Sequence, residues 1–176
     1  MRVIGGRISG IRFNPPSNLP VRPTTDLAKE ALFNILNHQI DWEESTCLDL
    51  FCGTGNISFE LASRGVSTVD SIDIHAKCLF YVKDVAKQYD LNINTRKADV
   101  LKFISSSKNS YDFIFADPPY DLPKLPLLPQ MILEGDLLKE GGILVVEHPS
   151  TRQLVEHPLF LETRKYGYSS FSFYKK

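Results

Sequence analysis

The tetrapeptide Asp117-Pro118-Pro119-Tyr120 joins three groups that can act together on an aromatic amine. The exocyclic amino nitrogen of a nucleobase is a poor nucleophile, because its lone pair is delocalised into the ring. An acceptor on each N–H favours pyramidalisation and returns that lone pair to nitrogen. Asp117 supplies one acceptor and the Pro118 carbonyl a second, since prolines hold the backbone outward and bring no competing N–H. Tyr120 can stack on the face of the base, worth roughly 1 to 3 kcal/mol. With the nitrogen held in line with an electrophilic methyl carbon, much of the rate comes from positioning. No metal and no strong general base is called for, because the alkylated nitrogen is acidic and loses its proton to Asp117 or water. Asp117, Pro118 and Tyr120 are therefore the candidate catalytic residues. The alternative is a proline-rich loop with an incidental aspartate, and the company the motif keeps decides between them.

That company begins with Leu48-Asp49-Leu50-Phe51-Cys52-Gly53-Thr54-Gly55-Asn56, which reads as a strand, a glycine turn and a helix. In open α/β sheets ligands sit outside the carboxyl ends of strands, where glycines let them approach the backbone and a helix N-terminus. Asp73, twenty residues beyond Gly53, ends the next strand and can accept from both ribose hydroxyls. Asp99 ends a third strand and can accept from an adenine amino group, while Asp49 is an oddly polar residue within the first. Any one of these acids could be a helix cap; three at successive strand ends are hard to explain that way. Phe51 and Asn56 of the turn, with Ile74 and Val100 beside the strand-end acids, complete the cofactor set drawn from this region. A dinucleotide fingerprint wants a third glycine where this chain has Ser58, so a pyrophosphate is disfavoured. S-adenosylmethionine has an adenosine end and no phosphate, and at this point the residues resemble the class I methyltransferases.

Positioning these groups needs alternating strands and helices, the pattern of a doubly wound sheet. Short apolar runs at 46–51, 69–74, 93–98, 112–116 and 143–147 predict five strands, with helices near 57–63, 76–89 and 131–139. Gly65 and Gly141-Gly142 fall where helix C-caps belong. Ala28, Ala31, Leu32, Ile35 and Leu36 give the buried stripe of an earlier helix, with N-caps on offer in Thr24-Thr25-Asp26. After the fifth strand, 161–166 and 169–174 are joined by Gly167-Tyr168 with no room for a helix and should pair antiparallel. Residues 121–129, with three prolines, read as a stiff loop. Residues 1–23 read as a small β-hairpin arm before a methyltransferase-like domain over 24–176. The expected fold is α/β and Rossmann-like, mostly parallel, with the arm at one end and the antiparallel hairpin at the other.

At 176 residues the chain suits a single core, and no apolar run reaches the ~18 residues of a membrane helix. The opening residues do not read as a secretory signal, so the expectation is a cytoplasmic protein with no membrane partner. Cys47, Cys52 and Cys78 show no paired spacing and are read as reduced, buried apolar residues without a metal. Charge is uneven: residues 1–25 carry Arg2, Arg7, Arg12 and Arg22 and no acid, and residues 163–176 carry four cations and no acid. These two ends, each +4, leave −9 to residues 26–162 of a chain whose net charge is −1. Such asymmetry points to phosphate contact, and arginine's planar fork suits phosphate oxygens, although terminal arginines can also merely solvate a hairpin. Of the four histidines only His148 could reach the ligand edge, and a capping or surface role is expected for it.

Three blocks together, Arg22-Pro23-Thr24-Thr25-Asp26 with Glu30-Ala31-Leu32-Phe33-Asn34-Ile35-Leu36, then the glycine turn, then Asp117-Pro118-Pro119-Tyr120, resemble the bacterial RsmD-like methyltransferases of small-subunit ribosomal RNA. The resemblance spans nearly the whole chain. It implies methyl transfer from S-adenosylmethionine to the N2 amino group of a guanine, Thr24 and Thr25 near the methionine end of the cofactor, and an N-terminal hairpin that helps hold RNA. It implies ribosomal RNA as partner, free or within a small-subunit particle, and we take the protein as a monomer. Cys52 stands where such proteins often carry alanine. Adenine-N6 methyltransferases share the tetrapeptide, so adenine in RNA or DNA stays open, as does an RNA-binding protein that kept the fold without the activity. An NAD-linked oxidoreductase is disfavoured by Ser58. No segment has the look of a DNA target-recognition domain, which favours an RNA that brings its own shape.

Overall fold

A computed structural model describes residues 1–21 and 24–176. Arg22 and Pro23 lie outside the described residues. Seven strands form one sheet: β1 Thr46–Leu50, β2 Thr68–Asp73, β3 Ile93–Lys97, β4 Tyr111–Ala116, β5 Leu138–Pro149, β6 Phe160–Tyr166 and β7 Ser169–Lys175. Their order is β3-β2-β1-β4-β5-β7-β6; the first five strands run parallel and β7 lies antiparallel between β5 and β6. This is a Rossmann-like α/β sheet closed by a C-terminal antiparallel hairpin. The chain leaves β1 toward β2 on one side and returns to β4 on the other. The β1/β4 border is thus a topological switch point, where the crevice at the strands' carboxyl ends holds ligands in such sheets.

Strand alternation sorts the apolar residues into two layers. Phe113 and Phe115 of β4, with Ile143 and Val145 of β5, meet Ala28, Leu32, Phe33 and Leu36 of α1 (Asp26–Leu36) and Ile57 and Leu61 of α2 (Asn56–Ser63). Ile114 and Ala116, with Leu144 and Val146, face the other way onto Val100 and Phe103 of α4 (Val100–Ser106) and Leu128 and Ile132 of α5 (Leu128–Leu133). Ala28, Leu32 and Leu36 of the expected stripe are buried, Ala31 and Ile35 are half-buried, and Thr25 caps α1, its Oγ1 accepting from the Ala28 N–H at 3.2 Å.

Elsewhere the elements differ from expectation. α4 was not foreseen at all. The helix expected over 131–139 lies at Leu128–Leu133, entered through a 3-10 turn at Leu125–Leu127, and Leu138 already belongs to β5. Of the three prolines that suggest a stiff loop, Pro126 and Pro129 sit in the first turns of these two helices, where a missing N–H costs nothing. Gly141-Gly142 cap no helix: they sit inside β5, where pairing with β4 jumps from Tyr111–Leu138 to Phe113–Ile143. A Cβ on Gly142 would approach the Lys139 carbonyl oxygen to 2.8 Å, so the bulge needs glycine there. Gly65 does follow the α2 cap, Arg64.

The N-terminal residues are no free arm. Among the described residues a single bridge, Arg2–Arg12, marks the hairpin, yet Val3, Ile8 and Phe13 are buried against Phe59 of α2 and Val82, Val85 and Ala86 of α3 (Ala76–Gln88). Glu60, fully buried on α2, accepts from the Ile4 and Gly5 N–H groups at 2.8 and 2.9 Å and pairs with Lys29 and Arg64. Among the described residues no helix is long and apolar enough to cross a membrane.

Candidate active site

A cavity of about 620 Å³ opens along the carboxyl ends of β1, β2, β4 and β5. It falls in the range of small-molecule sites. The turn after β1 shapes its floor. Phe51 leaves the strand with φ 60°, a left-handed conformation that costs a non-glycine residue about 1 to 3 kcal/mol. The Gly53 N–H donates to Asp73 Oδ2 at 2.8 Å, and the His75 N–H donates to Asp73 Oδ1 at 2.9 Å. Asp73 thereby ties the glycine turn to the end of β2 before any ligand arrives. Phe51, Gly53, Asn56, Asp73 and Ile74 line the cavity, as do Asp99 and Val100 from the β3–α4 junction.

Two of these residues carry structural duties as well. Asp99, exposed, caps α4 by accepting from the Lys102 N–H at 3.0 Å. Asn56 donates to the Thr24 carbonyl at 2.8 Å and accepts from Lys29 Nζ, so its amide holds the chain before α1 in place. Gly55 is a different case, for it does not line the cavity. It is the N-cap of α2, and its missing Cβ makes room for Val82 Cγ2 and Phe59 rather than for a ligand. Close packing of helix and sheet is its function, and the approach to the backbone falls to Gly53.

The second end of the cavity belongs to β4 and β5. Asp117 follows β4, its N–H donating to the Leu50 carbonyl at 3.2 Å, with Pro118 buried and Tyr120 at the rim. Arg152 fastens the segment: Nη1 donates to the carbonyls of Tyr120 and Leu122 at 2.9 and 2.8 Å. Asp49 is buried, and Ser58 Oγ donates to its Oδ2 at 2.5 Å while touching Ser71 Oγ at 2.7 Å. The residue that replaces the third glycine of a dinucleotide turn is therefore a partner of the polar residue in β1. Burial raises the Asp49 carboxyl to about 7, against the lowering effect of the Ser58 bonds. Burial also raises Asp117 well above the usual carboxylate range, with Glu147 and then Asp49 adding repulsion.

Glu147 was not singled out in the sequence. It ends the apolar part of β5, is 5% exposed, lines the cavity, and accepts from Thr24 Oγ1 at 2.7 Å. Thr25, the α1 cap, lines the cavity beside it. Tyr166, Gly167, Tyr168 and Ser169 of the β6–β7 hairpin form a further stretch of wall, with Tyr168 87% exposed. The turn had been legible; its reach back to the site was not.

His148 points away from this chemistry. It is buried, with Nε2 2.8 Å from Ser172 Oγ and Nδ1 3.0 Å from the Pro149 and Arg152 carbonyls, so it caps a loop from within and is no surface residue. The cysteines are free and buried. Among the described residues no group of three His, Cys, Asp or Glu is placed to hold a metal ion.

The four expected phosphate contacts are not equivalent. Arg7 Nη2 donates to the carbonyls of Tyr89 and Asp90 at 2.7 Å each, closing the C-terminus of α3. Its exposed guanidinium thus has a role in the fold besides the expected phosphate contact. Arg2 is half-buried, with Nε shielded and bonded to no acceptor, whereas Arg12 is exposed. Arg22 lies outside the described residues.

The described walls of the cavity hold five carboxylates, from Asp49, Asp73, Asp99, Asp117 and Glu147, and no lysine or arginine. Such a lining repels phosphate and attracts cations. Together with the sheet order and the acceptor segment after β4, it defines a class I methyltransferase, the class whose methyl donor is S-adenosylmethionine. Residues 1–175 match the family described as conserved hypothetical protein 95, and the chain belongs to it, the RsmD family. "Putative rRNA methyltransferase YlbH" of Bacillus subtilis is 34% identical over 187 residues, covering 100% of this chain and 99% of that protein. Ribosomal RNA small subunit methyltransferase D of Escherichia coli strain K12 is 30% identical over 148 residues, 84% of this chain and 74% of that one. The solved "Putative methyltransferase yhhF" from Escherichia coli superposes with a TM-score of 0.83 at 25% identity, covering 100% and 97%.

Proposed function

We propose that the chain transfers a methyl group from S-adenosylmethionine to the exocyclic N2 amine of a guanine in small-subunit ribosomal RNA. The observation that carries this reading is that the Asp117–Tyr120 segment and the Asp73-anchored glycine turn open onto one carboxylate-lined cavity. The donor set suits S-adenosylmethionine. Its sulfonium and ammonium charges match the acidic lining, and nothing in the described lining asks for a phosphate. Asp73 would accept from the ribose hydroxyls and Asp99 from the adenine amino group, with Ile74 and Val100 as apolar flanks. Asp49, Phe51, Gly53 and Asn56 would surround the methionine end, with Thr24 and Thr25. When bound, the cofactor supplies an electrophilic methyl group on a sulfonium.

The rest is done by this chain's own residues. Asp117 accepts one N2–H and the Pro118 carbonyl the other, raising the nucleophilicity of the nitrogen. Tyr120 stacks on the base and fixes its plane, while Arg152 keeps the segment from swinging. A carboxyl whose proton affinity is raised by burial is a fit acceptor for the proton that the methylated nitrogen releases. Because the cavity repels phosphate, the base enters it unpaired with the RNA backbone left outside, and Arg2, Arg12 and Arg22 are the proposed phosphate contacts. The preference for guanine rests on the resemblance of the sequence blocks to the RsmD-like methyltransferases, while the relative's name supports small-subunit ribosomal RNA as substrate.

The test is transfer of labelled methyl groups to ribosomal RNA and to small-subunit particles lacking the modification, followed by digestion to nucleosides. N2-methylguanosine is the expected product. N6-methyladenosine would overturn the guanine reading, and failure to bind S-adenosylmethionine in a calorimeter would overturn the activity itself.

A further inference from the structure

The carboxyl ends of β4 and β5 place two acids side by side. Ala116 pairs with Val146 across the parallel strands, so Asp117 and Glu147 are the next residues in register. Ala116 and Val146 belong to one core layer and Phe115 and Val145 to the other. One residue further the side chains return to the Phe115 face. Both acids accordingly line the same end of the cavity. The Thr24 hydroxyl, held by Asn56 through the Thr24 carbonyl, fixes Glu147 Oε2 and so the rotation of that carboxylate. Nothing in the methyl-transfer scheme above uses Glu147, and a buried acid next to another raises the proton affinity of the catalytic one. Two acids side by side on the wall of the cavity are placed to face one substrate edge together.

Guanine presents such a group. Its Watson–Crick edge carries two adjacent kinds of donor, N1–H and the N2 amine, whereas adenine presents its N6 amine beside N1, a bare acceptor. Two neighbouring carboxylates match the first edge. They mismatch the second, because adenine N1 would meet a carboxylate oxygen with no proton between them. We infer that Glu147 is the specificity-determining residue of the site, accepting the N1–H of the target guanine while Asp117 accepts from its N2 amine. This rests on the guanine reading and gives it a structural cause in this chain.

The experiment compares guanine with 2-aminopurine, which keeps the amine at C2 but has an unprotonated N1. RNA transcripts carry one or the other at the position where the native enzyme forms N2-methylguanosine. The native enzyme should prefer guanine in kcat/KM by about tenfold or more, since a site built for an N–H rejects an analogue lacking it. Glu147→Gln offers an amide N–H to that position, so the preference should fall to about threefold or less, with 2-aminopurine gaining as guanine loses. Glu147→Asp should restore the preference at a reduced rate. Equal losses on both bases in Glu147→Gln, with cofactor affinity and melting temperature intact, would overturn the inference and leave the guanine reading standing. If Glu147→Gln does not fold, Thr24→Val, which releases the carboxylate's rotation, must lower the same ratio. An unchanged ratio there overturns the inference equally. N6-methyladenosine from the native enzyme defeats the guanine reading itself, before any variant is made.

Discussion

The two ends of the cavity hold their carboxylates by different physics. At the β2 end, backbone N–H groups meet the acids: Gly53 and His75 donate to Asp73, and Lys102 donates to an exposed Asp99. At the β4–β5 end, Asp49, Asp117 and Glu147 line one stretch of the cavity; burial raises Asp49 and Asp117, with repulsion from Asp73 adding to the first and repulsion from Glu147 and Asp49 adding to the second. The first end is a cradle complete before its ligand arrives. The second is electrostatically stressed even with Ser58 and Thr24 donating to Asp49 and Glu147, and further N–H donors ease it, which suits a site that must act on N–H groups rather than merely hold a ligand. Substitutions at the two ends should therefore separate chemistry from binding.

The largest effect is expected at the stressed end. Asp117→Asn removes the charged acceptor from the reacting nitrogen, and kcat should fall by roughly 10²- to 10³-fold. Affinity for S-adenosylmethionine by calorimetry should stay close to native; a parallel loss of both would merge the two ends into one. Next comes Asp73→Asn, which weakens charged hydrogen bonds of the kind worth about 1.5 to 3 kcal/mol, a loss of roughly 10- to 100-fold in cofactor affinity. Turnover at saturating cofactor should change little. A collapse of kcat there would show that the glycine turn also shapes the base end.

How far this contrast could be read in the sequence depends on how local its causes are. Asp73 and Gly53 are legible because strand, turn and strand-end acid follow one another at fixed spacing. Asp117-Pro118-Pro119-Tyr120 is legible because four consecutive residues carry its chemistry. Glu147 is not, because an acid at the end of an apolar run looks like a surface residue until the β4–β5 register sets it beside Asp117. α5 was displaced because Leu133, Leu137 and Leu138 continue an apolar run across the helix end into β5, and only pairing with β4 shows where the strand begins. The hairpin arm was legible as a turn-rich strand pair, but its docking depends on Glu60, a helix acid that the fold buries.

The stressed end should also show itself in stability. Asp49 has an ordinary carboxyl value of 3.8 and is raised to about 7 in the folded chain. Below pH 4 both states hold the proton and folding has no cost from this group. As pH rises toward 7 the unfolded chain ionises while the folded one keeps its proton, so stability drains away, and the full loss is reached above 7. Asp49→Asn keeps an acceptor for Ser58 and removes the titration. Its melting temperature should exceed that of the native chain at pH 8, by an amount on the order of 2 to 4 kcal/mol in stability, with the gap closing toward pH 4. Removing a negative charge beside Asp117 should also carry the acid limb of the pH–rate profile to lower pH, since that limb follows ionisation of Asp117. A stability gap independent of pH would mean that Asp49 does not carry the stress.

The smallest effect separates two arginines of the same hairpin, outside the cavity. Arg12 is exposed, and Arg12→Ala should flatten the slope of log K against log salt for RNA binding by roughly 0.7 to 0.9, the share of one phosphate contact. Arg7 closes the end of α3 through the Tyr89 and Asp90 carbonyls. Arg7→Ala should leave that slope unchanged and lower the melting temperature slightly, by about 1 kcal/mol in stability at most, since its bonds are solvent-exposed. Because Glu60 and the buried Val3, Ile8 and Phe13 still hold the hairpin, neither change should undock it. The reverse assignment, with salt dependence lost at Arg7 and stability lost at Arg12, would mean that the helix-end contacts give way to phosphate when RNA binds.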